Sequence, residues 1–344
     1  MNKIAVLPGD GAGREVVPEA IKVLRAAGLA EQLAVEEFEV GAEPVLRGEP
    51  ALSDSTFAQV RQADAILFGA VGDPRVSNVG YAAQVLLRLR FELDLYVNLR
   101  PARLYDDRLS PLREAARRPV DLLVVRENTE GLYVGMGGRF KRGTPDELAV
   151  QEDVNTARGV TRILDYAFAR ARREVCMVDK SNAMAFAGGL WQDAFAAARA
   201  RHPDLDARHL YVDAAAMELV RDPTQFEVIV TGNLFGDILS DLTAQLIGGM
   251  GVAPSGNLNP DSGRGLFEPV HGSAPNLAGK GVVNPVGAIL SGAMMVEHLG
   301  FGEAAKRIEN AVATALRSGE CTRDVGGSLD TAQAGDAVVK YLGD

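Results

Sequence analysis

The run Asn233-Leu-Phe-Gly-Asp237-Ile-Leu-Ser-Asp241 sets two carboxylates four residues apart in a helix-forming segment. Both then stand on one helix face and can offer oxygen ligands to a hard divalent cation. The same spacing also describes a solvated helix face, so context must separate the readings. An apolar, strand-like run at 226–231 leads into the pair and Gly248-Gly249 follows it, which places the acids just past a strand end, where ligands collect in open α/β sheets. A third acid, Asp213, follows the apolar run 210–212 and precedes the helix-forming run 214–219. Two strand ends would thus present Asp213, Asp237 and Asp241 as a metal-binding set.

Three arginines fall at strand or helix edges in the middle of the chain: Arg90, Arg100 and Arg126. A guanidinium fork suits a carboxylate, and a substrate with two carboxylates would use several such forks. Lys180 follows the apolar run 175–178, where desolvation and nearby positive charge favour a neutral amine that can act as a base. Tyr133, after Thr129-Glu-Gly-Leu132, has a proton to give. The cluster Phe267-Glu-Pro-Val-His271-Gly272-Ser273-Ala274-Pro-Asn276, with Asn284 beyond it, is small enough in its side chains for backbone to approach a ligand closely. Taken singly, each of these residues also reads as an ordinary surface charge or a satisfied core group.

These groups need a scaffold, and the chain alternates strand-like runs (4–7, 65–68, 122–125, 175–178, 210–212, 228–230) with helical patterns (17–27, 156–172, 183–201, 304–318). Such alternation predicts an α/β fold with a largely parallel sheet. Residues 135–153, rich in glycine and charge, read as a hairpin or arm. The first turn, Gly9-Asp-Gly11-Ala-Gly13, follows a strand and opens a helix, but its spacing is not the G-x-G-x-x-G of a dinucleotide fold. The acids at 36–39 keep a Rossmann reading open as an alternative to a plain tight turn.

At 344 residues, 47% apolar and 24% charged, the chain has the make-up of a globular protein of about two domains or one large α/β unit. The net charge of −10 argues against a nucleic-acid partner. Cys176 and Cys321 show no zinc or disulfide spacing. The longest apolar run, 286–296, falls short of the ~20 residues of a membrane span. A cytoplasmic protein with no membrane contact is the expectation.

The quoted motifs together resemble the β-decarboxylating dehydrogenases, the family of isopropylmalate, isocitrate, homoisocitrate and tartrate/malate dehydrogenases. The resemblance rests on 233–241 with Gly248-Gly-Met-Gly251, on Glu268-Pro-Val-His-Gly-Ser-Ala-Pro275, and on four shorter matches in the family's order: Gly9-Asp-Gly11, Asn98-Leu-Arg-Pro101, Arg126-Glu-Asn-Thr-Glu-Gly-Leu-Tyr133 and Asp179-Lys-Ser-Asn182. It implies a two-domain isopropylmalate/isocitrate dehydrogenase-like fold, not a Rossmann fold. Residues 1–95 and 248–344 would form a cofactor-side domain, and 96–247 a second domain for dimerisation, metal and catalysis, with the arm 135–153. It implies a homodimer in which Lys180 and Asp213 reach into the partner's site. It also implies NAD on His271, Gly272, Ser273, Ala274, Asn276 and Asn284; Mg²⁺ or Mn²⁺ on the three aspartates; Lys180 and Tyr133 as catalytic groups; and a small 2-hydroxy dicarboxylic acid held by Arg90, Arg100 and Arg126.

Leu86 and Leu87 resemble the leucines that isopropylmalate enzymes turn toward an isopropyl group, where homoisocitrate enzymes place an arginine at the position of Leu87. Oxidative decarboxylation of (2R,3S)-3-isopropylmalate, a step of leucine biosynthesis, is therefore expected. The alternatives are homoisocitrate, isocitrate or a malate-like acid, and, remotely, a non-catalytic regulatory subunit. Ala83, in place of a glutamate usual near the nicotinamide, and Asn276, in place of a ribose-binding acid, depart from the isopropylmalate and NAD patterns.

Overall fold

The computed structural model of the chain describes residues 1–78 and 80–343. Its strands are β1 (Asn2–Gly9), β2 (Leu33–Glu37), β3 (Ala65–Ala70), β4 (Val97–Arg103), β5 (Asp121–Glu127), β6 (Gly137–Phe140), β7 (Leu148–Gln151), β8 (Glu174–Asp179), β9 (Asp206–Tyr211), β10 (Val228–Thr231), β11 (Pro254–Asn259) and β12 (Arg264–Pro269). Ten of them join one sheet in the order β2-β1-β3-β12-β11-β4-β5-β10-β8-β9. The pairings β12-β11, β11-β4 and β4-β5 are antiparallel and the others are parallel. The α/β class and mostly parallel sheet are as expected, and the strand order is not that of a dinucleotide fold. The five strands on one side of the β11–β4 junction come from the two ends of the chain, and the five on the other side from its middle.

Parallel strands need covering on both faces, and the helices supply it. The helix Val286–His298 is buried on nearly every side, because it packs on β11 and β12 and is itself covered by the helices Gly13–Leu24 and Gly302–Arg317. The helix Gly80–Glu92 buries Tyr81, Val85 and Leu89 at four-residue spacing, leaving Leu86 and Leu87 a step round its surface. The helix Asn233–Leu246 turns Gly236, Leu239, Ser240, Thr243 and Ala244 inward onto β4 and β5. Asp237 and Asp241 stand at the margin of that buried face.

Two sequence expectations change in detail. Asp213 does not close a strand: β9 ends at Tyr211, and Asp213 lies in the first turn of the helix Val212–Arg221, where the unpaired N–H groups favour an acid. Arg100 is not at an edge but inside β4, and buried. Residues 135–153 do form a hairpin, with β6 and β7 paired antiparallel. Phe140 and Leu148 on it are more than half exposed. Among the described residues, no helix is long and apolar enough to cross a membrane.

Candidate active site

Strand register assembles the floor of the site. Arg126 on β5 sits opposite Thr231 on β10 and Asn98 on β4, and Asn98 sits opposite Asn257 on β11. One polar row thus crosses neighbouring strands. Asn98 Nδ2 donates to Asn257 Oδ1 at 2.9 Å, and Asn257 Nδ2 donates to Glu268 Oε1 at 2.8 Å. Arg90 Nη2 reaches the same Glu268 oxygen at 3.0 Å, while Arg100 Nε donates to Asn98 Oδ1 at 2.9 Å. Buried polar groups linked in this way hold one another in fixed directions.

Above this floor lies a cleft of about 340 Å³. Arg90, Arg100, Arg126, Tyr133 and Asp237 line its polar side; Ala82, Ala83, Leu86 and Leu87 form an apolar wall; and His271 with Gly272 closes a third side. Arg126 is only 1% exposed. It forms an ion pair with Asp237 and donates to Asn233 Oδ1 from Nε at 2.9 Å and from Nη2 at 2.7 Å. The Tyr133 hydroxyl donates to the other Asp237 oxygen at 2.6 Å. Burial works to raise the Asp237 carboxyl, but Arg126, the Tyr133 hydroxyl and Arg100 outweigh it and hold it below the usual carboxylate value. Burial and the bond to Asp237 push the Tyr133 phenol up, so it stays protonated. Burial pulls Arg100 below the ordinary arginine value. Among the described residues Arg90 Nε is buried with no acceptor, which costs about 1–3 kcal/mol unless an anion in the cleft supplies one.

Asp241 lies one helical turn beyond Asp237. Its nearest cation is Arg100 Nη1, at 3.9 Å, and burial raises its carboxyl, with Arg100 opposing and Asp237 reinforcing the shift. An exposed acid of this kind, one turn from a second acid, would gain from a divalent cation, so Asp237 and Asp241 fit as part of a donor set for Mg²⁺ or Mn²⁺. The third aspartate is elsewhere. Asp213 accepts from Lys180 Nζ at 2.6 Å, and the ammonium lowers its pKa. Both belong to the β8–β9 edge of the sheet, and neither lines the cleft. Within one chain, therefore, Asp213 does not join Asp237 and Asp241, and no group of three His, Cys, Asp or Glu among the described residues could hold a metal.

The expected cofactor residues form the loop after β12. His271 Nδ1 lies 2.9 Å from its neighbour's carbonyl, Gly272 O, and Nε2 is buried without a partner among the described residues. That nitrogen fits a ligand that brings its own donor or acceptor. Ser273 is buried, and its carbonyl accepts from Ala12 N at 2.8 Å. Ala274, at φ 41, accepts from the amides of Leu277 and Ala278 and so turns the loop. Asn276 is exposed. Asn284 is committed internally, accepting from Val286 N and donating to Asp324.

Sequence reasoning passed over Asn233, Asn98, Asn257 and Glu268 as site residues. Their signal was available: asparagines and an acid within apolar strands such as Gly265-Leu-Phe-Glu268 must find partners once buried.

Residues 3–338 match the isocitrate/isopropylmalate dehydrogenase family. The 3-isopropylmalate dehydrogenase of Thermobifida fusca is 46% identical, over 99% of this chain and 97% of the relative. That of Leifsonia xyli subsp. xyli is 47% identical, over 98% and 97%. Among solved structures, isocitrate dehydrogenase from Methylococcus capsulatus superposes with a TM-score of 0.92 at 38% identity, covering 100% of both chains. The fold and the family match are those of a β-decarboxylating dehydrogenase. The chain belongs to the isocitrate/isopropylmalate dehydrogenase family, whose enzymes bind hydroxy acids, typically use NAD(P) and a divalent metal, and dimerise.

Proposed function

We propose that this chain oxidatively decarboxylates (2R,3S)-3-isopropylmalate with NAD, giving 2-oxo-4-methylpentanoate and CO₂, the leucine-biosynthetic member of its family. One observation carries the choice: beside the arginines, the cleft is lined by the apolar residues Ala82, Ala83, Leu86 and Leu87. Those residues suit a branched alkyl group, and Leu87 supplies no cation to a third carboxylate. The names of the relatives from Thermobifida and Leifsonia support the same choice. The likeness to the Methylococcus isocitrate dehydrogenase supports the runner-up, a tricarboxylate substrate.

In this reading Arg90, Arg100 and Arg126 hold the two substrate carboxylates, with the free Arg90 Nε as one of the donors. Lys180 from a second copy takes the hydroxyl proton. Tyr133, kept protonated by burial, returns a proton to carbon after CO₂ leaves. When bound, NAD supplies the hydride acceptor, and a divalent cation held by Asp237, Asp241 and the second copy's Asp213 supplies a Lewis acid for the hydroxyl and its neighbouring carboxylate. The His271 loop, with Gly272, Ser273, Ala274 and Asn276, holds the dinucleotide, and Asn284 supports that loop. Apolar side chains exposed on the helices 212–221 and 233–246 (Met217, Val220, Ile238) and on the hairpin (Phe140, Leu148) support a homodimer. The split of the sheet between chain ends and chain middle supports domains of 1–95 with 248–344, and of 96–247.

The cation is tested through Asp241→Asn, which removes a charged ligand while keeping volume. The concentration of Mg²⁺ or Mn²⁺ at half-maximal activity should rise by roughly tenfold or more. Parental activity of this variant in excess chelator would end the metal assignment.

A further inference from the structure

The turn Gly9–Gly13 resembles a phosphate-binding loop in composition, yet its glycines admit the protein's own backbone. A Cβ on Gly9 would stand 2.0 Å from Ala70 O, and one on Gly11 would stand 2.2 Å from Ser273 O. Between them lies Asp10, 1% exposed and forming no ion pair among the described residues. Three separate elements satisfy its carboxylate instead. Oδ1 accepts from Ala42 N at 2.8 Å, where the short helix Ala42–Leu46 begins. Oδ2 accepts from Gly72 N, in the loop after β3, at 2.9 Å, and from the Tyr81 hydroxyl at 2.9 Å. Two residues on, Ala12 N donates to Ser273 O in the loop after β12.

Tyr81 is on the first turn of the helix Gly80–Glu92, which carries Ala82, Ala83, Leu86, Leu87 and Arg90 into the cleft. Its apolar ridge, Val85 and Leu89, resists lifting but has little direction about the helix axis, and the bonds of Arg88 to Leu52 O and Asp54 and of Arg90 to Glu268 anchor the last turns and not the first. A hydroxyl-to-carboxylate bond has direction. Burial, and then the Asp10 carboxylate, push the Tyr81 phenol above its ordinary value, so the hydroxyl remains a donor.

We propose that Asp10 is a positioning residue: through Tyr81 it sets the rotation of the helix 80–92, and with it the substrate wall, relative to the loop at Ser273. The proposal rests on the reading of this cleft as the hydroxy-acid site, and not on which hydroxy acid binds there.

Tyr81→Phe keeps the buried ring and removes only the donor. KM for the best hydroxy acid should rise about 3–10-fold, the scale of one lost hydrogen bond, with kcat and KM for NAD within about twofold because the Ala12–Ser273 bond is left intact. Asp10→Asn turns an amide N–H₂ toward one of three donors and should raise both KM values; should it not fold, Tyr81→Phe decides alone. A parental hydroxy-acid KM in Tyr81→Phe overturns the proposal, and so does an equal rise in both KM values with falling kcat, the mark of general loosening. Hydrogen exchange gives a readout independent of turnover, and so of the assigned function. Exchange in Tyr81→Phe should quicken in the helix 80–92 and not in the helix 286–298, and unchanged exchange in both contradicts the proposal.

Discussion

The Lys180→Met enzyme is expected to form NADH roughly 10³-fold more slowly than the parent, with hydroxy-acid affinity changed far less. The expectation follows from the role given to Lys180 as the base for the hydroxyl proton. Tyr133→Phe should instead leave hydride transfer nearly intact and slow the protonation that follows CO₂ loss, so assays started from the ketoacid intermediate distinguish the two. The geometry adds a sharper form of the test. Lys180 pairs with Asp213 at the β8–β9 edge, outside the cleft that Asp237 lines. If a site takes its cleft from one copy and Lys180 from the other, a mixture of Lys180→Met and Asp241→Asn chains regains activity. Random pairing gives roughly one quarter of the parental rate at a cation level where each variant alone is inactive. No regain on mixing contradicts a site shared between copies, and an unchanged rate for Lys180→Met alone places the base elsewhere.

Leu87→Arg should invert substrate preference. The isopropyl group amounts to about three apolar carbons at roughly 0.8 kcal/mol each. Placing a guanidinium against it should lower kcat/KM for isopropylmalate on the order of 10²-fold. The same guanidinium would give the third carboxylate of isocitrate or homoisocitrate the cation it lacks in the parent, raising kcat/KM for them. The measured quantity is the ratio of kcat/KM values in parent and variant. A ratio that does not move shows that Leu87 is not part of the substrate wall.

Several strands were legible in the sequence because local signals agree with the final structure, although the edge strand β2 (Leu33–Glu37) was not among them. Strands such as β8 and β10 are short apolar runs, and the helix 233–246 starts directly after one. The centre of the sheet was not. β4 and β11, Val97-Asn-Leu-Arg-Pro-Ala-Arg103 and Pro254-Ser-Gly-Asn-Leu-Asn259, carry asparagine, arginine, serine and proline where a strand pattern expects apolar residues. Tertiary pairing overrides that composition, since Asn98 donates to Asn257 across strands and Asn257 donates in turn to Glu268. Local propensity fails where a site is built into the core. Within the site, the arginines and Asp237 could be named from residue type and position. That Asp213 stands with Lys180 at the far edge of the sheet could not, because separation across a sheet depends on strand order, which spacing does not encode. Asp10 and Tyr81 were invisible for the same reason: they lie 71 positions apart and meet only through the fold.

The central claim is that the apolar residues of the helix 80–92, lining the cleft with three arginines, select a branched alkyl malate. Its most direct test is NAD reduction by the unaltered protein, with Mg²⁺ or Mn²⁺, on isopropylmalate, isocitrate, homoisocitrate, malate and tartrate. The account predicts the highest kcat/KM for isopropylmalate, exceeding malate by roughly 10-fold or more from alkyl burial, with both tricarboxylates poor. A parent that prefers isocitrate or homoisocitrate contradicts it, and the leucine wall would then have to face something other than the substrate.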